Sequence, residues 1–169
     1  MENVYNILSV LELADKIVSI LEGQRTEIEE VVKRYHSSDV IRGIKVGDSD
    51  VIGQYPSITV GIPRIGIVPI GAHYSMDINL TGNVSVRIKE VQVDWLFRYE
   101  FELAARVLAI LLQPKYNRIE LDSGTVYDFD VFGDTIFGGE KAGAIRVAKI
   151  PFSARQFRSG FKGNNEPRE

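Results

Sequence analysis

The sequence predicts an α+β fold: a mostly antiparallel sheet covered on one face by two main helices, with extended arms and loops. Three observations predict it. Residues 74–89 alternate apolar and polar positions, so their sheet has one dry face and one wet one, which favours antiparallel pairing. Residues 3–22 and 94–112 carry apolar side chains at helical spacing. The chain has 169 residues, 44% hydrophobic and 25% charged, the composition of a soluble globular domain of ordinary size. We expect one domain over residues 1–159 and a flexible tail over the polar, Gly/Asn-bearing residues 160–169.

In the first helix Val4, Ile7, Leu8, Leu11, Ala14, Val18 and Leu21 form one stripe, and Val10, Leu13, Ile17 and Ile20 form a second beside it. The joint face is wider than that of a usual surface helix, so it needs cover from the sheet and from a further surface. Gly23 suits a helix stop. Thr26 followed by Glu29 reads as a capping box that opens a helix over 26–35. Residues 36–56 are polar and broken by Gly43, Gly47 and Gly53, which predicts a long excursion outside the core.

Tyr55-Pro56 leads into a strand at Ser57–Val60. Residues 62–73 are apolar but interrupted by Pro63, Gly66, Pro69 and Gly71, which excludes a central strand. They read either as a loop over their own core or as an arm that docks on a partner. Tyr74, Met76, Ile78 and Leu80 and then Val84, Val86 and Ile88 flank Thr81-Gly82-Asn83, the pattern of a β-hairpin turning at Gly82. Asp94 is the expected N-cap of the second main helix and Pro114 its stop. Strands follow at 125–132 and 144–154. In the second, Ile145 and Val147 lie out of phase with Ile150, Phe152 and Ala154, which predicts a bulge near Lys149. The glycine-bearing connection at 133–143 reads as a mobile loop.

Charge is unevenly placed within the net of −3. Residues 1–35 hold seven acids and four bases, whereas residues 141–169 hold seven bases and two acids. Opposite ends of this kind can attract one another between neighbouring copies. The N-terminus has no basic region followed by an apolar one, and no apolar run reaches the roughly 20 residues of a membrane span. The expectation is intracellular synthesis and no membrane partner.

The inventory of chemistry is short. Absent cysteine excludes disulfides, thiolate zinc sites and cysteine catalysis. The two histidines, His36 and His73, have no companion ligands in sequence, and His36-Ser37-Ser38-Asp39 reads as polar loop. Asp128, Asp130 and Asp134, with Glu140 and Lys141 nearby, form the one carboxylate cluster that could hold a divalent cation, as in a metal-dependent enzyme acting on nucleic acid. Nucleophile elbows, phosphate-binding loops and dinucleotide fingerprints are absent. Neither a cofactor nor a catalytic set is expected.

The order of elements is itself informative. A long N-terminal helix leads to Tyr-Pro-Ser-Ile-Thr-Val and a hairpin. The helix Asp94-Trp95-Leu96-Phe97-Arg98-Tyr99-Glu100-Phe101-Glu102-Leu103-Ala104 follows and continues through Val107-Leu108-Ala109-Ile110-Leu111. The chain then closes with a hairpin ending Ile150-Pro151-Phe152-Ser153-Ala154. Over residues 3–155 this pattern resembles the tail terminator (tail completion) proteins of long-tailed bacteriophages, and some neck and joining proteins share the layout. The excursion at 36–54 and the segment at 62–73 depart from it.

The resemblance implies a structural virion protein without enzymatic activity. It implies a ring, usually a hexamer, at the head–tail junction. Such a ring caps the tail tube, meets the neck or head-completion proteins, and lets DNA pass without specific binding. A closed ring needs two different patches per subunit. The sequence places them at Arg155, Phe157 and Arg158 of the basic end, at Ile65, Ile67 and Val68 of the apolar segment, and at Glu27 and Glu30 of the acidic start.

Overall fold

A computed structural model describes residues 2–47, 54–70, 75–139 and 144–158, with side chains described over 9–47, 54–67, 77–139 and 144–156. Helices α1 (Glu2–Gly23) and α2 (Arg25–Tyr35) come first, followed by strands β1 (Gly43–Val46), β2 (Ser57–Ile70) and β3 (Ser75–Lys89). Helix α3 (Val93–Leu111) is followed by a short 3-10 turn at Pro114–Tyr116, then β4 (Arg118–Glu120), β5 (Val126–Val131), β6 (Ile136–Gly139) and β7 (Ile145–Arg158). The sheet order is β1-β2-β3-β7-β5-β4. Among the described strands only β1 and β2 pair in parallel. The antiparallel β3–β7 ladder runs unbroken from Lys89 opposite Ile145 to Met76 opposite Arg158. The other edge of β7 is shared: β6 takes Arg146–Lys149 and β5 takes Phe152–Arg155. The expected α+β class, with a mostly antiparallel sheet under helices, is the observed one.

Helix α1 spans the sheet. Its first half reaches β5 and the β4–β5 turn, where Ser9 Oγ and Tyr127 Oη are 2.5 Å apart and Glu12 Oε1 accepts the Ser123 N–H at 2.8 Å. The same helix packs on β1 and β2. Leu13, Ala14, Ile17 and Leu21 enter the core, while Leu11 stays exposed. Helix α2 seats Ile28, Val31 and Val32 in the same core and packs against α3. Arg25 fixes the α1–α2 corner. It bonds Glu22 and Glu29 and donates to Ile41 O at 2.5 Å. That last bond ties the following segment down, so residues 36–56 are not wholly outside the core: Ile41 and Ile44 are buried and β1 forms there.

Several expectations change, each for a physical reason. Residues 75–89 form one strand and not a hairpin, because Gly82 is a core position. A Cβ there would collide with the Phe152 ring and with Gly61 O. The glycine marks close packing and not a turn. Opposite it β2 bulges, with Ile62 and Pro63 fitted between Gly61, paired with Asn83, and Arg64, paired with Thr81. Residues 62–70 are therefore strand, although past the end of β1 they form a sheet edge, where Pro63 and Pro69 are tolerated. In β7 there is no bulge near Lys149. Arg146, Ala148, Ile150, Phe152 and Ala154 share one face, and Ile145 and Val147 lie on the other. An arginine and an alanine at inward positions had disguised the period. The glycine-bearing connection contains β6, and Glu140–Gly143 lie outside the described residues. So does the predicted tail, residues 160–169.

The caps also differ. Gln24 and Gln92 occupy the N-cap positions of α2 and α3 without side-chain caps. Glu29 is engaged by Arg25, so no capping box forms with Thr26. Asp94 sits in the first turn of α3, where its charge suits the helix dipole. The polar face is not uniformly wet either. Ser57, Thr59, Ser85 and Arg87 are buried near the β1 end, with the Arg87 guanidinium 5.7 Å from the Tyr55 ring centre.

Candidate contact surfaces

Among the described residues an apolar surface stays uncovered at each end of the β3–β7 ladder. The first lies between α3 and β6. Phe97 and Phe101 stand one turn apart on α3 and are 62% and 61% exposed, because the helix turns its Leu96, Tyr99, Leu103 and Val107 face to the sheet. Phe137 comes from β6, which pairs with the beginning of β7. The Phe101 and Phe137 rings stack with centres 5.9 Å apart, and the Arg146 guanidinium lies 4.5 Å above the Phe97 ring centre. Together with Arg98 and Glu102 they line a cleft of about 470 Å³.

At the base of this cleft Arg146 Nε donates to Glu100 Oε2 at 2.9 Å. Glu100 is 1% exposed. Burial pushes its carboxyl above the ordinary range. The Arg146 hydrogen bond, the Arg146 charge and the Gly138 N–H pull the other way without cancelling that shift. On the rim Glu102 meets Arg34 at 3.2 Å.

The second surface is the far end of β2. Ile65 and Ile67 lie opposite Leu80 and Ile78, so they belong to the core face of the sheet, yet they are 49% and 54% exposed. Among the described residues, β2 beyond Val60 pairs with β3 alone, which leaves one row of its backbone N–H and C=O groups open.

Across the sheet from these isoleucines, on the opposite face, lies a row of charges. Asp128 is in register with Arg118 on one side and Arg155 on the other. Arg155 also holds Asp77 with two contacts, Nε to Oδ1 at 2.8 Å and Nη2 to Oδ2 at 2.5 Å. The Arg155 hydrogen bond keeps the Asp77 carboxyl below its ordinary range. Asp128 of the expected carboxylate cluster therefore sits in an alternating row of acids and guanidinium groups. Asp130 faces Ser153 across the strands. Among the described residues no group of three or more His, Asp or Glu is placed to hold a metal ion. Glu140 and His73 lie outside them.

His36 is not free loop. Its backbone N–H closes α2 on Val32 O, and its Nε2 lies 2.5 Å from Glu90 Oε2, to which it must donate, since a carboxylate only accepts. Glu90 in turn accepts the Gln92 N–H at 2.8 Å at the start of α3. Burial would raise the Glu90 carboxyl. The Gln92 N–H, the His36 bond, the His36 charge and the Val91 N–H outweigh it and hold the group below the ordinary range. Tyr35 stacks on Tyr99 at 4.8 Å beside this pair, so the corner is a packed joint between α2 and α3.

The expected contact residues are thus dispersed. Ile65 and Ile67 are exposed together on the β2 edge. Glu30 is exposed on α2, whereas Glu27 is partnered by Arg106 at 3.5 Å and Arg155 by Asp77. The side chains of Val68, Phe157 and Arg158 lie outside the described residues. The aromatic cleft was not anticipated, because Phe97 and Phe101 read as extra members of the apolar stripe of α3. Their offset from Leu96, Leu103 and Val107 on the helical wheel is the signal that separates them. No protein-family model matches the chain, and no curated protein matches its sequence.

Proposed function

We propose that this chain is a structural virion protein. In this reading identical copies, six in the arrangement the resemblance implies, close into a ring that caps the tail tube of a long-tailed phage and joins it to the neck. The observation that carries the reading is the pair of unlike apolar surfaces at opposite ends of the β3–β7 ladder: the Phe97/Phe101/Phe137 cleft and the Ile65/Ile67 edge. A monomer gains nothing from leaving two such surfaces bare. A ring built head to tail needs one of each on every subunit. The mildly acidic charge is compatible with a lumen through which DNA slides without being held. No described helix is long and apolar enough to cross a membrane.

The test is native mass spectrometry with negative-stain imaging, on the protein alone and mixed with tail tubes. Rings seated on tube ends are expected. A strict monomer under both conditions overturns the reading. Rings that bind neck proteins but never tubes assign the chain to the neck.

A further inference from the structure

Among the described residues the aromatic cleft has no occupant, and the sequence beyond β7 supplies a candidate. After Arg158 the chain runs Ser-Gly-Phe-Lys-Gly-Asn-Asn-Glu-Pro-Arg-Glu. In these eleven residues Phe161 is the one bulky apolar side chain, and it stands next to Lys162 between Gly160 and Gly163. A lone aromatic in a polar, glycine-hinged segment gains free energy only by finding a pocket. The cleft offers three aromatic walls for the ring and, on its rim, the Glu102 carboxylate, which Arg34 also holds, for the lysine.

Chain length decides whose cleft it is. Phe137, the wall nearest to β7, lies opposite Ala148, and β7 then runs ten residues to Arg158, paired with β3 throughout. That is about 34 Å along the strand. Phe161 stands three residues further on, a reach of about 11 Å at full extension. The strand would have to close most of a circle for Phe161 to meet the cleft of its own chain. The cleft of another copy is under no such restriction.

We propose that the C-terminal segment of each subunit docks into the α3–β6 cleft of a neighbouring copy, with Phe161 between Phe97, Phe101 and Phe137 and Lys162 at Glu102. This rests on the reading of the chain as a homo-oligomer. It joins the two ends of the β3–β7 ladder in different subunits, head to tail.

Since the sequence contains no cysteine, engineered thiols report cleanly. A Glu102→Cys chain is co-expressed with a differently tagged Lys162→Cys chain, and the purified protein is treated with a short bismaleimide while native mass spectrometry reads its assembly. The expected result is a covalent heterodimer. Adding Phe161→Ala to the Lys162→Cys chain reduces it roughly tenfold or more, the effect of losing one buried aromatic contact. Assembly without that cross-link overturns the docking and leaves the ring reading standing, with another surface in the cleft. A protein that stays monomeric overturns both. Closure within one chain of the Glu102→Cys/Lys162→Cys double variant, without multimers, also overturns the docking. The far-ultraviolet circular dichroism of each variant, compared with the parent, serves as the folding control.

Discussion

Two arginines on β7 make the same kind of bond in opposite settings. Arg146 faces the core and holds Glu100 under α3. Arg155, nine positions on and therefore on the other face, holds Asp77 in the open. Glu100 is pushed up by burial despite its partner, and Asp77 is pulled down by the Arg155 hydrogen bond against the opposing effect of burial. The chemistry of the pair is shared, so solvent access sets the sign of the shift. At neutral pH the buried pair is a cost that the Arg146 contact limits. The exposed pair is a contact that water and salt largely screen.

The sharpest way to break that comparison is Arg146→Ala. It leaves the Glu100 carboxylate buried without its guanidinium, which costs about 3–5 kcal/mol. The expected fall in melting temperature is about 10 °C or more. The double variant Arg146→Met/Glu100→Leu should recover most of that loss, because two apolar side chains need no compensation. If the single and double variants melt alike, the pair is not the source of the loss.

Between the two arginines on the same strand sits Phe152, packed over Gly82. Gly82→Ala should cost about 3 kcal/mol in chemical denaturation. Adding Phe152→Leu should restore only part of it, since the Gly61 carbonyl still meets the new methyl group. Full tolerance of Gly82→Ala would mean that the ring does not press on this backbone.

His36→Ala extends the comparison to a third carboxylate. Glu90 is held below its unfolded value of about 4.3, so its contribution to stability is present above that pH and is lost as pH falls through the folded value. Without His36 the carboxyl moves back up, and the acid-side loss of stability becomes shallower. At pH 7 the variant should lose about 1 kcal/mol, the partly exposed ring being screened. Melting curves between pH 3 and 7 check both statements, and an unchanged acid limb would refute the coupling.

Smaller still is Arg155→Glu. It sets an acid beside Asp77 and opposite Asp128, yet position 155 is exposed and screened by water, so the melting temperature should move little. Ring formation is the readout that matters for it. Normal assembly would show that this face is not a subunit contact. Removal of residues 160–169 should leave the melting temperature of the dissociated subunit nearly unchanged, and a large fall there would mean that the segment packs on its own subunit.

How far the sequence carries can be judged at individual residues. The inward set of β3, Ile78, Leu80, Val84, Val86 and Ile88, was legible from alternation alone, and so was the sheet-facing stripe of α3. Gly82 was not, because a glycine in a strand and a glycine in a turn look alike until the Phe152 ring is in place. Nor was the phase of β7, where Arg146 occupies an inward position that only Glu100, on a different element, makes tolerable. Of the candidate contact residues, Ile65 and Ile67 were legible as unusual apolar surface. The engagement of Arg155 and Glu27 within the chain was not, since each partner is remote in sequence.

By itself, then, the sequence determined the periodic elements, the absence of thiol chemistry and the division into an acidic start and a basic end. These are local or additive properties, readable without knowing what touches what. The tertiary structure decided which glycine is a packing device, which charges are already satisfied, and which aromatic residues of α3 are left bare. Those outcomes depend on strand register and on which elements meet across the sheet, and pairings over such separations leave no periodic trace in the chain.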